Sequence, residues 1–329
     1  MDSAVVIVNE SANWRASRAK ARRARQLLEE AGLAFSLVRS EGRGHAAEVA
    51  ARAAAAGAET VVVIGGDGTV NEAVNGLLRS GTERVPRLGI VPTGSSNDLA
   101  KSLGLNGSLR QSCEAVVRGA VRYVDVGRAG SHYFCSASCL GYFADVAAVS
   151  LEMRGLRGSS RYIMAALSVV RKMKGGWRME VTADGQRYCG EYAVLLVGNA
   201  PRFGGLTMLP GAAADDGALD CLLIEMASKA EALHLIGLVY RGAMERHRKA
   251  TRFRARSLSV AIDRPSRLCN DGEVCGERFE HIEYALLPRK LPILCAGVRD
   301  GGMGRGPVAV RSIVHRSGSV SHEQVETAR

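Results

Sequence analysis

Aromatic residues are scarce in this chain, at 5% of its 329 residues, and acidic residues are fewer than basic ones. The 44 Lys and Arg exceed the 33 Asp and Glu, which gives a formal net charge of +11. An anionic partner is therefore expected, unless the excess charge only covers a solvated surface. No basic segment is interleaved with aromatic residues, and no zinc-finger or RNA-recognition signature occurs. Nucleic acid is therefore excluded from the predicted partners, which leaves a phosphorylated substrate or an anionic membrane surface.

Paired cysteines and long apolar runs are also absent. None of the eight cysteines belongs to a Cys-x-x-Cys pair and no histidine cluster accompanies them, which argues against zinc and for buried, reduced thiols. The longest apolar runs, such as residues 232–240, fall well short of the roughly 18 residues of a membrane-spanning helix. The first residues lack a basic segment followed by an apolar one, so no signal peptide is expected. We expect a cytoplasmic protein, associated at most peripherally with the inner face of the membrane.

The most informative stretch begins with four consecutive apolar residues, 61–64, which predict a strand buried on both faces. A glycine turn and the start of a helix follow, as Gly65-Gly66-Asp67-Gly68-Thr69-Val70-Asn71-Glu72. Thr69 and Glu72 have the spacing of a capping box. Such a turn presents backbone N–H groups and the positive end of a helix dipole to a ligand, so the sequence predicts a phosphate site. An ordinary glycine-rich turn is the alternative.

Strands and helices alternate over residues 1–126, which predicts an α/β N-terminal domain with a doubly wound, mostly parallel sheet. Ligands bind beyond the carboxyl ends of the strands in such sheets. Four polar loops follow predicted strands there. They supply the candidates for nucleotide binding: Asn9, Ser40, Gly65, Gly66, Asp67, Gly68, Thr69, Asn71, Glu72, Thr93, Gly94 and Ser95.

The pattern changes after residue 126, where short runs rich in β-branched and aromatic residues predict strands. Two helical segments, residues 160–174 and 229–241, interrupt them. Residues 127–298 are therefore predicted to form a C-terminal β-sandwich or flattened barrel, with a last strand that either stays there or returns to the first domain. Residues 299–329 are rich in Gly, Ser and Arg without hydrophobic periodicity, which predicts a disordered tail.

Several motifs resemble, in the expected order, those of the diacylglycerol kinase catalytic-domain family, which includes bacterial lipid kinases and the sphingosine and ceramide kinases. They are the glycine turn at 65–72, Pro-Thr-Gly-Ser-Ser-Asn-Asp at 92–98, Gly-Tyr-Phe-Ala-Asp-Val at 141–146, residues 198–205, Asp-Asp-Gly-Ala-Leu-Asp at 215–220, and Asn-Asp-Gly-Glu at 270–273. The chain departs from the family's usual residues at Glu10, Ser95 and Phe143, and the 141–146 motif is closer to the sphingosine kinase version.

The resemblance implies a fold similar to NAD kinases and diacylglycerol kinases, with ATP and Mg²⁺ as cofactors. It also implies transfer of the γ-phosphate to a hydroxyl of diacylglycerol or a related lipid in an interdomain cleft. A sphingosine- or ceramide-type kinase is the alternative, and NAD is a more remote acceptor. From another class, the chain could be a catalytically silent lipid-binding regulatory module.

Specific acidic residues carry the expected chemistry. Asp67 is placed to hold the ATP-bound Mg²⁺, although it could simply form the turn. Asp271 and Glu273 face the same way if their segment is extended, so both could reach one cleft. By resemblance Glu273 is the proton acceptor, with Asp271 assisting or exchanging roles. Two solvated acids in a hairpin turn are the alternative.

The resemblance also implies substrate and metal residues. Asp98 and Asp145 are candidates for contact with the lipid, with helix capping as the alternative for each. A structural Mg²⁺ is implied at the Asp216 side chain, with backbone carbonyls near Ala213 and Ala218. An ordinary Asp-Gly turn is the other interpretation of that segment.

Two basic segments, residues 15–25 and 154–174, offer a surface for an anionic bilayer or form solvated helix faces. Each basic residue close to such a surface contributes about 1 kcal/mol. The expected partners are thus a lipid substrate and a membrane surface, and the sequence leaves a homodimer open.

Overall fold

The structure is a computed structural model, and it describes residues 4–9, 15–153, 158–225 and 228–296. The predicted tail, Glu10, Arg154 and Arg157 lie outside the described residues. The helices are α1 (Arg15–Glu30), α2 (His45–Ala55), α3 (Asp67–Arg79), α4 (Asp98–Ser102), α5 (Leu109–Arg118), α6 (Tyr142–Glu152), α7 (Gly158–Lys172) and α8 (Lys229–Tyr240), with a 3₁₀ turn at Met244–Arg246.

The strands are β1 (Ala4–Val8), β2 (Phe35–Arg39), β3 (Thr60–Gly65), β4 (Arg87–Pro92), β5 (Ala120–Ala129), β6 (His132–Phe134), β7 (Ala137–Gly141), β8 (Trp177–Ala183), β9 (Gln186–Gly198), β10 (Arg202–Phe203), β11 (Leu206–Thr207), β12 (Leu219–Glu225), β13 (Ala250–Ala255), β14 (Ser257–Asn270) and β15 (Glu273–Cys295). All but β10 and β11 belong to one sheet.

The first four strands are parallel, in the order β4-β3-β1-β2. Successive side chains of β3 point to opposite faces, and each face is covered by helices. Val61 and Val63 pack with residues of α2 and α3, whereas Val62 and Ile64 pack with residues of α1 and α5. Covering both faces explains why the strand is apolar throughout. The predicted doubly wound α/β architecture is confirmed.

The start of α3 differs from the sequence prediction. The helix begins at Asp67, with Gly66 as its N-cap, and not at Thr69. The Glu72 carboxylate accepts hydrogen bonds from the backbone N–H groups of Gly44 (2.9 Å) and Ala46 (3.3 Å) at the start of α2. The capping box predicted from the Thr69–Glu72 spacing is therefore wrong, because Glu72 caps the neighbouring helix.

The second half of the chain is a β-sandwich of antiparallel strands, as predicted. Side chains of β9 alternate between two apolar clusters: Leu195 and Val197 pack with β8, β14 and β15, whereas Val194 and Leu196 pack under α6 and α8. The sequence did not reveal α6 or β13. Helix α6 follows Gly141, whose φ of 76° suits a residue without a Cβ.

Strand β15 connects the two halves. It runs over 23 residues, pairs antiparallel with β14 and β5, and near its end pairs parallel with β4 through Ile293 and Leu88. The last strand thus returns to the parallel strands of the first half. The domain boundary predicted at residue 126 falls inside β5. Within the described ranges, no helix combines the length and the apolar character needed to cross a bilayer.

Replacing Gly76 by Ala should destabilise the protein. A Cβ on Gly76, inside α3, would overlap the carbonyl group of Ala47 in α2. We expect the free energy of unfolding, measured in urea, to fall by about 1–3 kcal/mol. Gly237→Ala in α8 is the matched control, because nothing lies within 4 Å of its added Cβ, and it should be neutral or stabilising by up to about 1 kcal/mol. Equal stability of the two variants would contradict this packing.

Candidate active site

Two glycine loops meet at the carboxyl ends of β3 and β4. A Cβ on Gly94 would lie 2.6 Å from the Cα of Gly66, so the two backbones are in direct contact. The N–H of Thr93 donates to the carbonyl of Gly65 at 2.9 Å. The predicted phosphate loops therefore form one continuous surface of backbone, and the 2.6 Å approach leaves no room for a side chain at position 94.

The carboxylate of Asp67 holds the second loop. Its Oδ2 accepts from the N–H of Asn97 at 2.7 Å, and its Oδ1 accepts from the N–H of Asp98 at 2.6 Å. Burial raises the pKa of Asp67, and these backbone hydrogen bonds act in the opposite direction. Asp67 therefore caps the start of α4 from the neighbouring loop, a partner that no local pattern reveals.

Asp98 is a buried carboxyl group, with 6% of the residue exposed. Its Oδ2 accepts from the N–H of Gly205 at 2.8 Å, whereas its Oδ1 accepts no hydrogen bond from the described residues. The Arg202 Nε lies 3.6 Å from that Oδ1 and likewise has no hydrogen-bond partner there. Burial and the nearby negative charge of Asp67 raise the pKa of Asp98 to about 6, although the hydrogen bond from Gly205 lowers it.

Asp271 is fixed by four donors. Its carboxylate accepts from the N–H groups of Cys135, Ser136 and Ala137 at 2.8, 2.8 and 3.0 Å, and from the Asn71 side chain at 3.1 Å. Burial raises its pKa and the hydrogen bonds oppose that shift. Asp271 therefore ties the segment before β7 to α3, and both of its oxygens are occupied.

Glu273 points to the glycine turn. A Cβ on Gly68 would lie 2.8 Å from the Glu273 Oε1, which places this carboxylate beside the first turn of α3. Its Oε2 lies 3.5 Å from the Arg43 Nη2, which also donates to the carbonyl of Val274 at 3.1 Å.

The Asp271–Glu273 segment is not extended. Asp271 has φ 50° and Gly272 has φ 90°, so the expectation that the side chains at positions 271 and 273 face the same way does not hold. Asp271 turns inward to residues 135–137, whereas Glu273 faces Gly68. Both nevertheless contact α3. Asp271 accepts a hydrogen bond from Asn71, and Glu273 lies beside Gly68 in the first turn.

Some of the other candidates for nucleotide binding shape the glycine turn, and the rest have different contacts or are exposed. Asn9 donates to the Thr69 Oγ1 at 2.9 Å, and the Thr69 side chain covers Gly65, so these residues shape the turn. Ser40 is buried, with its hydroxyl on the carbonyl of Gly42, and Ser95 is exposed at the rim. Glu72 caps α2 and is directed away from the turn.

The acidic side chain predicted to hold a structural Mg²⁺ is paired with an arginine. Asp216 accepts from the N–H of Ala218 at 3.3 Å and forms an ion pair with Arg254. The guanidinium of Arg254 already neutralises this carboxylate, and Asp220 is paired with Arg252 at 2.8 Å. The backbone carbonyls near Ala213 and Ala218 stay predicted ligands, and the carboxylate that they would accompany is already paired.

The glycine loops fit a nucleotide-bound Mg²⁺ better. Such an ion needs only one or two protein carboxylates. Asp67 and Asp98 both line the cleft, and Asp98 retains an oxygen without a partner. No group of three or more His, Cys, Asp or Glu side chains that could hold a metal ion occurs within the described parts of the chain.

An apolar cavity of about 110 Å³, open to solvent on one side, lies beside the cleft. Side chains of α6, α7 and α8 line it, and Gly272 and Phe203 form part of its wall. Phe203 also lines the cleft that contains Asp67, Asp98 and Asp271. Asp145 does not line the cavity, and its Oδ1 accepts from Arg267 at 2.8 Å.

Three residues at the site were missed from the sequence. Arg202 faces Asp98 and Arg43 faces Glu273, as described above. Asn75, one turn after Asn71, exchanges two hydrogen bonds with the backbone of Tyr133, at 2.9 and 3.0 Å. The Asn-x-x-x-Asn spacing on one face of α3 is the signal that could have identified it.

Comparisons with known proteins assign each half of the chain to a domain family. The diacylglycerol kinase catalytic domain matches residues 3–129, and the YegS C-terminal NAD kinase beta sandwich-like domain matches residues 136–295. A diacylglycerol kinase of Staphylococcus saprophyticus is 29% identical over 252 residues, or 76% of this chain and 82% of that protein. A diacylglycerol kinase of Staphylococcus aureus is 27% identical over 76% of this chain and 79% of its own length.

Solved structures show the same fold. The crystal structure of a diacylglycerol kinase from Bacillus anthracis superposes with a TM-score of 0.69 at 20% identity, over 88% of this chain and 96% of that one. A second structure from that organism gives a TM-score of 0.73 at 23% identity and the same coverage.

Thermal unfolding should not depend on a bound metal at the 215–220 turn. We expect EDTA to leave the unfolding midpoint of the wild type unchanged, since Arg254 supplies the positive charge. Arg254→Met should cost about 1 kcal/mol, because the ion pair is partly exposed, and added MgCl₂ should recover part of that loss. Arg187→Met, which breaks the exposed pair with Glu180, should show no response to Mg²⁺. A lower midpoint of the wild type in EDTA would contradict the assignment.

Proposed function

Because the chain belongs to the diacylglycerol kinase catalytic-domain family, we propose that it is a lipid kinase that transfers the γ-phosphate of ATP to a hydroxyl of diacylglycerol or a related lipid. The observation that carries this proposal is the position of the apolar cavity. Its wall includes Gly272 and Phe203, and these residues adjoin Glu273 and the acidic cleft below the glycine loops. A lipid chain in the cavity would thus bring its hydroxyl next to a phosphate site.

The glycine loops bind the nucleotide phosphates in this proposal. The Gly66 and Gly94 backbones touch, so neither residue places a side chain on the surface of these loops. Phosphate oxygens would accept from N–H groups at the start of α3, where the helix dipole favours negative charge. A nucleotide-bound Mg²⁺, held by Asp67 and Asp98, would neutralise phosphate charge.

Glu273 is the proposed proton acceptor. Its Oε1 lies beside Gly68, and therefore beside the expected position of the transferred phosphate. Gly272, the preceding residue, lines the lipid cavity. Glu273 would take the proton of the lipid hydroxyl as the oxygen bonds to phosphorus, while Asp271 holds the turn in place. Arg43 can balance the charge of Glu273 between turnovers.

The cavity favours a neutral glycerolipid over a sphingoid base. Its lining residues are almost all apolar, which suits acyl chains. A sphingoid ammonium would need an unpaired carboxylate, but Asp145 is already paired with Arg267 at 2.8 Å. A sphingosine-type activity is therefore disfavoured, and ceramide, whose amide nitrogen carries no charge, is the second candidate. The presence of both Asp67 and Glu273 argues against a silent regulatory module.

Peripheral membrane binding is part of the proposal. Leu151, Met164, Leu167 and Leu233 are between 41% and 50% exposed, and they lie on the three helices that enclose the cavity. Exposed basic residues of α7 and its end, such as Lys172, lie near them in sequence. Apolar groups flanked by cations suit an anionic bilayer. A lipid could then enter the cavity from the membrane.

Glu273→Gln should abolish most lipid phosphorylation. Loss of the proton acceptor is expected to reduce the rate by about 10²–10⁴-fold, with ATP binding retained, because the glycine loops are unchanged. The measurement is transfer of labelled phosphate from Mg²⁺-ATP to diacylglycerol, ceramide and sphingosine in mixed micelles. Glu280→Gln, an exposed acid on the same strand, is the control. Full activity of Glu273→Gln would exclude the mechanism, and transfer to none of these lipids by the wild type would exclude the function.

Replacing exposed apolar residues on the outer face of α7 by glutamate should weaken membrane binding. We expect Met164→Glu with Leu167→Glu to lower the affinity for vesicles of anionic phospholipid by roughly tenfold or more, because each buried apolar side chain contributes about 1.5–3 kcal/mol. Vesicle co-sedimentation measures this affinity. Val121→Glu, which alters an apolar residue of β5 with 39% exposure, should bind like the wild type. Equal affinity of all three proteins would place the membrane-binding surface elsewhere.

A further inference from the structure

A small hairpin, residues 202–207, separates the apolar cavity from the acidic cleft. It is formed by β10 and β11 and turns at Gly204 and Gly205, whose φ angles of 63° and 84° favour glycine. Phe203, with 6% exposure, belongs to the walls of both the cavity and the cleft. The ring therefore stands between the site of the lipid chain and Asp67, Asp98 and Asp271.

The hairpin is attached to the cleft through Asp98. The N–H of Gly205 donates to the Asp98 Oδ2 at 2.8 Å, and the Arg202 Nη2 donates to the carbonyl of Gly205 at 2.8 Å. Arg202 also lies 3.6 Å from the other Asp98 oxygen. A Cβ on Gly205 would lie 3.3 Å from the Ser96 Oγ, so the turn also rests against the second glycine loop. These contacts hold the hairpin backbone that carries Phe203.

We propose that Phe203 determines the acceptor by excluding water from the transferred phosphate, so that a lipid hydroxyl is phosphorylated and ATP is not hydrolysed. The inference rests on the proposed kinase function. An aromatic ring in this wall blocks the route from the open end of the cavity to the acidic cleft. A lipid that fills the cavity brings its own hydroxyl to the Gly272 part of the wall, next to Glu273, whereas water that enters the open end of the cavity meets the ring.

The competing reaction is balanced without a further reactant. The oxygen of water bonds to the γ-phosphorus, the bond from that phosphorus to the β–γ bridging oxygen breaks, and ADP leaves. The proton of the attacking water passes to the Glu273 carboxylate, and the products are ADP and inorganic phosphate. Lipid transfer follows the same course with the lipid oxygen in place of water. The ratio of the two rates therefore reports the access of water.

Phe203→Ala should raise that ratio. Truncation of the ring opens the wall next to Asp98, so we expect the rate of ATP hydrolysis without lipid, divided by the rate of lipid phosphorylation, to increase about tenfold or more. The measurement is release of inorganic phosphate and of labelled lipid from the same Mg²⁺-ATP. Phe203→Leu retains most of the bulk and should stay near the wild-type ratio. Phe253→Ala is the matched control, since Phe253 stacks on Tyr188 away from both cavities.

A second measurement does not require activity. Hydrogen exchange of the Asn97 and Asp98 amides, which donate to Asp67, should be faster in Phe203→Ala than in the wild type and unchanged in Phe253→Ala. An unchanged ratio with slower lipid transfer would show that Phe203 has only a structural role. Unchanged exchange would overturn the inference whether or not the protein is a kinase. If the wild type neither hydrolyses ATP nor transfers phosphate, but exchange is faster in Phe203→Ala and unchanged in Phe253→Ala, the kinase function is refuted and the barrier at Phe203 is supported.

Discussion

The arrangement of the site depends on two hydrogen bonds from backbone N–H groups to the Asp67 carboxylate, at 2.7 and 2.6 Å. Hydrogen bonds to a charged group contribute about 1.5–3 kcal/mol each. They join the first turn of α3 to the first turn of α4, while Gly66 and Gly94 bring the two backbones into contact. Two separate strand–helix units thereby present a single surface. Without Asp67, only glycine backbone would connect the loops.

Asp271 provides the corresponding connection between the two halves of the chain. Its four hydrogen bonds tie residues 135–137 and Asn71 to the turn before β15, and Asn75 adds two bonds to Tyr133. The position of Glu273 beside Gly68 is a consequence, because Glu273 is only two residues from this fixed carboxylate. The continuous pairing of β15 with β14, β5 and β4 supports the same alignment.

The sequence predicted those features that depend on local pattern. Alternating strands and helices, the glycine turns at strand ends, and the change to β-rich texture after residue 126 all concern neighbouring residues. The errors concern partners distant in sequence or unusual backbone angles. Glu72 has the spacing of a capping box but caps α2, and the positive φ of Asp271 separates its side chain from that of Glu273.

Helix α6 was missed for a related reason. Its sequence is apolar on several faces, since it packs between the sheet and α7, and the helical period is therefore weak. Arg202 could not be identified either, because its relevance depends on a carboxylate 104 positions earlier in the chain. The order of the motifs pointed to a function for the segments that contain α6 and Arg202, but it did not predict the contacts of their side chains.

The buried acids also indicate where a ligand binds. Burial raises the pKa of Asp67, Asp98 and Asp271, so each carboxylate needs compensation from donors or cations. Asp67 and Asp271 have donors on both oxygens. The Oδ1 of Asp98 accepts no hydrogen bond from the described residues, although the Arg202 Nε lies 3.6 Å away, and Asp98 lines the cleft together with Phe203. Since an unsatisfied buried acceptor costs about 1–3 kcal/mol, a ligand that supplies a cation or a hydroxyl there gains affinity from groups that are already in place.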